Sequence, residues 1–117
     1  MRDPERDPGR LEHILMAIDK IEEYTDGISY DQLTSDSMRM HAVIYNIQIV
    51  GEATYKLTRE YKATHTTVPW ILMEKMRHVL VHDYYKIVPE AVWDVVKSDL
   101  PAVKPEIQRL LSKSDTE

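Results

Sequence analysis

Residues 37–62 read SMRMHAVIYNIQIVGEATYKLTREYK, and this stretch decides the architecture. Val43, Ile47, Val50 and Leu57 recur at helical steps and share one side, while Ala42, Tyr45, Ile49 and Ala53 fall on another. A helix with so wide an apolar surface is buried on more than one side. In a chain of 117 residues, a second subunit is the expected cover for the second side. Gly51 lies inside this helix, where it costs about 1 kcal/mol against alanine. Close approach of another helix is the use that explains it.

The same period runs outward in both directions. Leu11, Ile14, Leu15, Ile18 and Ile21 predict a first amphipathic helix that stops near Gly27. A polar connector from Ser29 to Asp36 follows, with Ser35 or Asp36 as N-cap of the long helix. After a loop at Thr64 to Thr67, Pro69 suits the first turn of a third helix. That helix carries Leu72, Met76, Val79 and Leu80 and is expected to end around His82 to Tyr85. Pro89 opens a fourth, with Val88, Val92, Val95 and Val96 at helical spacing. Asp99 can cap a fifth, with Pro101 in its first turn and Leu100, Val103, Ile107 and Leu110 inward. No strand pair with a hairpin turn is evident. The expectation is an all-α fold, an antiparallel helical bundle of four main helices plus a short fifth. It forms one domain over residues 1–117, with flexible tails at 1–9 and 112–117.

Composition narrows the function classes. With 43% hydrophobic and 30% charged residues, the chain reads as globular rather than disordered. The absence of cysteine excludes disulfides and thiolate metal sites. No apolar run approaches the roughly 20 residues of a membrane span. The first residues, Met1 to Pro8, carry both signs of charge and no apolar signal core, so a cytoplasmic location is expected. A net charge of −5 argues against indiscriminate nucleic-acid binding. Any phosphate-bearing ligand must then sit in a local basic pocket.

Chemistry concentrates after the apolar segment Trp70-Ile71-Leu72-Met73, which has every reason to be core. Arg77, His82 and Tyr84 follow it at the spacing R-x4-H-x-Y. A guanidinium can grip phosphate, an imidazole can move a proton near neutral pH, and a phenol can orient a hydroxyl. On an ideal helix Arg77 and Tyr84 share a face, whereas His82 lies about 140° from Arg77. Either the helix unwinds near His82 or a second subunit completes the site. Glu52, on the long helix, can pair with Arg77 and hold its guanidinium. His78 and His82 have the H-x3-H spacing of two zinc-binding imidazoles, but no third and fourth ligand stands out beyond Asp83 or a distant carboxylate. No metal and no cofactor is expected. His13, His41 and His65 read as surface residues, and Trp70 and Trp93 as core or loop packing. The cluster also admits a purely structural reading, with Arg77 capping helix carbonyls and the histidines packed on apolar neighbours.

The motif and its landmarks resemble the HEPN superfamily, in particular its HepT-like branch. Ile49-Val50-Gly51-Glu52-Ala53 resembles the family's second-helix Gly-Glu pair, and Val68-Pro69-Trp70 the lead-in to its motif helix. Val92-Trp93 with Asp99-Leu100-Pro101 resembles its C-terminal end. His78 departs from the pattern, since many relatives carry Asn after the arginine. The resemblance implies a metal-independent endoribonuclease that is the toxin of a two-gene toxin–antitoxin module. Arg77 and His82 would be catalytic, with His78, Tyr84 and Glu52 supporting. It also implies an MntA-like nucleotidyltransferase antitoxin that AMPylates Tyr84, while the wide apolar surface of the long helix makes a homodimer the expected state. A second reading makes the chain a non-catalytic nucleotide-binding or nucleotidyltransferase-partner subunit.

Overall fold

The computed structural model describes residues 6–78, 81–83 and 86–116, with side chains for all but 81–83, 86 and 114–116. Helix α1 spans Asp7–Thr25, and Gly27 turns the chain after it at φ +71°. A left-handed φ of that size favours glycine, which has no Cβ to clash. Ser29 and Gln32 form a reciprocal capping box that starts the short α2, Tyr30–Thr34. Asp36 then caps the long α3, Ser37–Lys56, by accepting from the Arg39 N–H.

Two polar contacts fix α1 and α3 antiparallel. The buried Asp7 carboxylate accepts from Thr58 N and Thr58 Oγ1, tying the start of α1 to the end of α3. Arg39 donates to the Tyr24 carbonyl, tying the opposite ends. Between these ties Ile14, Ile18 and Ile21 join Val43, Ile47 and Val50 in the buried core. The Asp7 bonds also explain why α3 stops short of the expected Lys62. Leu57 and Thr58 are held extended, and Thr58 caps a separate α4, Arg59–Thr64, through Tyr61 N. At the other end, helix begins at Asp7, inside the stretch expected to be a tail to residue 9.

Helix α5, Trp70–Glu74, tightens into a 3-10 turn over Lys75–Arg77, so the third helix ends well before His82. Trp70 and Met73 are buried as expected, but Ile71 and Leu72 are exposed. Two short antiparallel strands, β1 Val81–Asp83 and β2 Lys86–Ile87, replace the expected helix end and pair Val81 with Ile87. β-Branched residues at that pair suit extended backbone. The fold remains all-α in class.

The expected fourth and fifth helices are one rod. Helix α6, Pro89–Asp94, passes through a π-helical turn at Val95–Asp99 into α7, Leu100–Thr116. Asp99 therefore caps nothing and lies within the rod. Pro101 gives the physical reason for the widened turn. Its ring would meet the carbonyl four residues back in a regular helix, and the π turn lets Leu100 N–H reach Val95 O instead. Helix continues to Thr116, past the Ser112 expected to begin a frayed end. Lys104 bridges this rod to α1 at Asp19 and Glu22, again antiparallel. No helix is long and apolar enough to cross a membrane among the described residues.

Candidate active site

Gly51 positions the arginine. A Cβ built there would lie 2.8 Å from Arg77 Cγ and 2.8 Å from the Met76 carbonyl carbon, and closer still to Arg77 N. Real Cβ atoms essentially never come so near, so only glycine lets the 3-10 turn press its backbone on α3. The missing side chain of one helix thereby sets the height of the guanidinium on the other.

Two α3 side chains then orient that guanidinium. Arg77 Nε stands 3.0 Å from Glu52 Oε1, an ion pair with side chains 26% and 48% exposed. The Nε–H is not aligned on that oxygen, and among the described residues Nε has no hydrogen-bond partner although it is buried. The contact is thus Coulombic rather than a hydrogen bond. On the other side, Cζ lies 3.9 Å from the Tyr55 ring centroid, a cation–π contact. Half-exposed pairs of this kind are worth about 1 kcal/mol or less. Their effect is therefore orientation more than stability. Glu52 and Tyr55 are one turn apart, so a single face of α3 supplies both. Tyr55 escaped the sequence reading, although its position three residues after Glu52 marks it as a neighbour on that face.

The other expected site residues fare differently. His78 is exposed and closes the 3-10 turn, its N–H bonded to Lys75 O. His82 lies in β1, so the H-x3-H spacing does not put two imidazoles on one helical face. The helical face shared by Arg77 and Tyr84 is likewise overturned, because the helix ends at Arg77. The His82 side chain and the whole of Tyr84 lie outside the described residues. Among the described residues no three His, Asp or Glu side chains converge as metal ligands. His65 proves partnered, stacking on Tyr61 at 4.1 Å and bonding the Tyr61 carbonyl.

Helix α3 carries a second feature on the same side. Tyr45, Ile49, Glu52 and Lys56 recur at steps of four, three and four, which lines them along one face. Tyr45 is 63% exposed, and Met16 of α1 is 61% exposed. Of the second apolar side, Tyr45 is exposed and Ala42 and Ile49 are partly so, whereas Ala53 is buried within the chain. The uncovered part is thus narrower than expected and runs along Tyr45 and Ile49 toward Glu52.

The profile of the "Ribonuclease HepT-like" family matches residues 14–110. The chain belongs to this HepT-like family. A protein of Thermococcus cleftensis named as a probable ribonuclease HepT is 35% identical over 100 residues, covering 86% of this chain and 91% of the relative. A provisionally named RNase of Caldanaerobacter subterraneus subsp. tengcongensis is 29% identical over 103 residues, covering 88% and 92%. In Methanocaldococcus jannaschii, a gamma-glutamylcyclotransferase that is also provisionally named an RNase is 35% identical over 105 residues. That match covers 90% of this chain but 47% of the relative. No solved structure matches the chain. The Gly51–Arg77 seam, Glu52 and Tyr55 all lie within the span that makes this a HepT-like chain.

Proposed function

We propose that the chain is a metal-independent endoribonuclease, the toxin of a two-gene module. The observation that carries this is the Arg77 guanidinium, held in place by Glu52 and Tyr55 over Gly51 in a HepT-like chain. A protein spends an otherwise unfavourable glycine and two side chains on an arginine when its position matters. Phosphate is the ligand that a planar cationic fork fits.

Cleavage needs no metal if RNA supplies its own nucleophile. The 2′-hydroxyl attacks the adjacent phosphorus, the 2′-O–P bond forms and the P–O5′ bond breaks, leaving a 2′,3′-cyclic phosphate. One His82 takes the 2′ proton, and a second imidazole returns a proton to the 5′ oxygen. Arg77 stabilises the doubly charged phosphorane between them. One chain has one His82, so a two-fold dimer completes the pair, with the partner subunit's His82 as the acid. The exposed Met16 and Tyr45 and the neighbouring Ile49 support such a dimer, because their surface leads directly to Glu52. His78, beside Arg77, is suited to an auxiliary contact with substrate.

Silencing would act on Tyr84. A nucleotidyltransferase antitoxin, using ATP and a divalent cation, would join the phenol oxygen to the α-phosphorus and release pyrophosphate and the phenolic proton. The new phosphodiester would compete with RNA for Arg77, and the nucleoside would fill the cleft.

Wild type should degrade RNA in the presence of EDTA, while Arg77→Ala and His82→Ala lose about 10²- to 10⁴-fold in rate and remain folded. Unchanged cleavage in both variants would reject the chemistry. Absence of any cleavage by wild type, with antitoxin binding retained, would instead favour the non-catalytic partner subunit. Co-expression with the antitoxin should add AMP mass increments that vanish in Tyr84→Phe; persistent increments would move the switch elsewhere.

A further inference from the structure

The net charge of −5 is unevenly spread. A groove of about 480 Å³ opens between the first turns of α1 and the C-terminal half of α3. Arg6, Arg10, His13 and Lys56 line it, and Glu52, the partner of Arg77, forms part of its wall. Arg10 also lies 3.8 Å from the Asp7 carboxylate, so the surplus in the groove is carried by Arg6, Lys56 and one imidazole against Glu52, a carboxylate already engaged by Arg77.

The ion pair with Asp7 accounts for Arg10 in the folding of α1, but the helix itself gives no reason for Arg6. A helix favours anions at its N-terminus and cations at its C-terminus. Here Arg6 and Arg10 sit at the N-terminal end, while Asp19, Glu22, Glu23 and Asp26 gather at the other, where no basic residue occupies the last turn. The first-turn acid, Asp7, is buried and engaged by Thr58 and by Arg10. Charge is therefore ordered against the helix and concentrated beside the catalytic arginine. The cleft on the Tyr55 side makes the contrast. It offers Arg59 and Lys62, but Lys62 is bound to Glu74, so the surplus there is smaller.

We propose that the groove lined by Arg6, Arg10, His13 and Lys56 binds the phosphodiester backbone of the RNA strand next to the bond cleaved at Arg77. This rests on the ribonuclease reading and adds a substrate-binding site to it. Arg6, Arg10 and His13 precede the residues that the family profile matches, 14–110. A strand leaving Arg77 past Glu52 enters the groove without crossing the acidic end of α1. In a two-fold contact centred on the groove, a second copy would set like charges against each other, so it is a poorer occupant than RNA.

The test uses the full chain carrying His82→Ala, so that a fluorescent single-stranded RNA of about 12 nucleotides is bound and not cut. Anisotropy is measured over a salt series, with and without Arg6→Gln and Lys56→Gln, both exposed positions. The paired variant should bind at least about tenfold more weakly, and its salt slope should fall by roughly 1.4, about 0.7 for each lost phosphate contact on a single strand. Lys97→Gln, a charge removed at the acidic end, should leave the slope unchanged. Equal affinity and slope in the paired variant would overturn the groove, as would an equal loss in Lys97→Gln. Retained RNA binding with loss of antitoxin binding would reassign the groove to that protein. If wild type cleaves RNA and the paired variant binds normally, the groove alone falls. If wild type neither binds nor cleaves RNA, the ribonuclease reading falls with it.

Discussion

Helix α3 meets its neighbours along two unlike seams. Against α1 it presents Val43, Ile47 and Val50, all fully buried and apolar. Against the 3-10 turn it presents Gly51, Glu52 and Tyr55, which leave a gap and then fill it with an arginine. The first seam holds the fold; the second holds a charge at a fixed place. Their energies differ in kind. Area burial makes the α1 seam worth several kcal/mol, whereas the half-exposed contacts around Arg77 sum to little. Stability and activity should therefore separate cleanly between the two.

The largest effect is expected at the first seam. Ile47→Ala removes a fully buried side chain and should cost about 2–5 kcal/mol. Urea denaturation measures it, and cleavage per folded molecule should stay near wild type. A loss below about 1 kcal/mol would mean that this seam collapses around the cavity and is softer than its burial implies.

Gly51→Ala tests the boundary between the seams. Helix propensity alone favours alanine by about 1 kcal/mol. The crowding atoms include the Met76 carbonyl carbon and the Arg77 amide nitrogen, which are backbone and cannot rotate aside. Overpacking of that kind costs about 1–3 kcal/mol, so a modest net loss of stability is expected. Cleavage should fall by more than about tenfold, because Arg77 must move with the turn. A variant that is both more stable and fully active would break the assignment of Gly51 as the seat of the arginine.

Much of this contrast was legible in the sequence, for a physical reason. The apolar period of residues 37–62 reports burial directly, and a lone glycine within it reports close approach. The Glu52–Arg77 pairing follows from opposite charges flanking that approach. The helix end was not legible. Val79, Leu80 and Val81 continue an apolar pattern that fits helix and strand alike, and the ladder at Val81 and Ile87 is a pairing across sequence that local period does not encode. The break at Thr58 was hidden similarly, since it depends on Asp7, 51 residues away. The groove cations were invisible because Arg6 and Lys56 become neighbours only once α1 and α3 pack antiparallel.

Glu52→Gln should sharpen the second seam. Both partners are partly exposed, so stability should change by less than about 1 kcal/mol. A neutral amide no longer attracts the guanidinium, and Tyr55 alone holds it over the ring. Cleavage should drop by about 10- to 100-fold, the cost of a misplaced clamp. A stability loss above about 2 kcal/mol with unchanged cleavage would make the pair structural.

The smallest effect comes from a charge placed in a seam without a counter-ion among the described residues. Asp99 lies half-buried in the π turn, which packs toward α1. Burial, and then the like charge of Asp94, push its carboxyl above the ordinary 3.8. The folded state therefore holds this proton more tightly than the unfolded chain does. Stability falls as pH rises from the unfolded value through the folded one, and the cost is fully present above both. Asp99→Asn should accordingly be slightly more stable than wild type at neutral pH, with the advantage fading as pH drops toward 3.8 and below. Thermal melts across that range decide it. A variant less stable than wild type at pH 7 would show that the Asp99 carboxylate makes a favourable contact that outweighs its burial. The Arg77 seam, with Glu52 opposite the charge, would then not differ from this one in the way proposed.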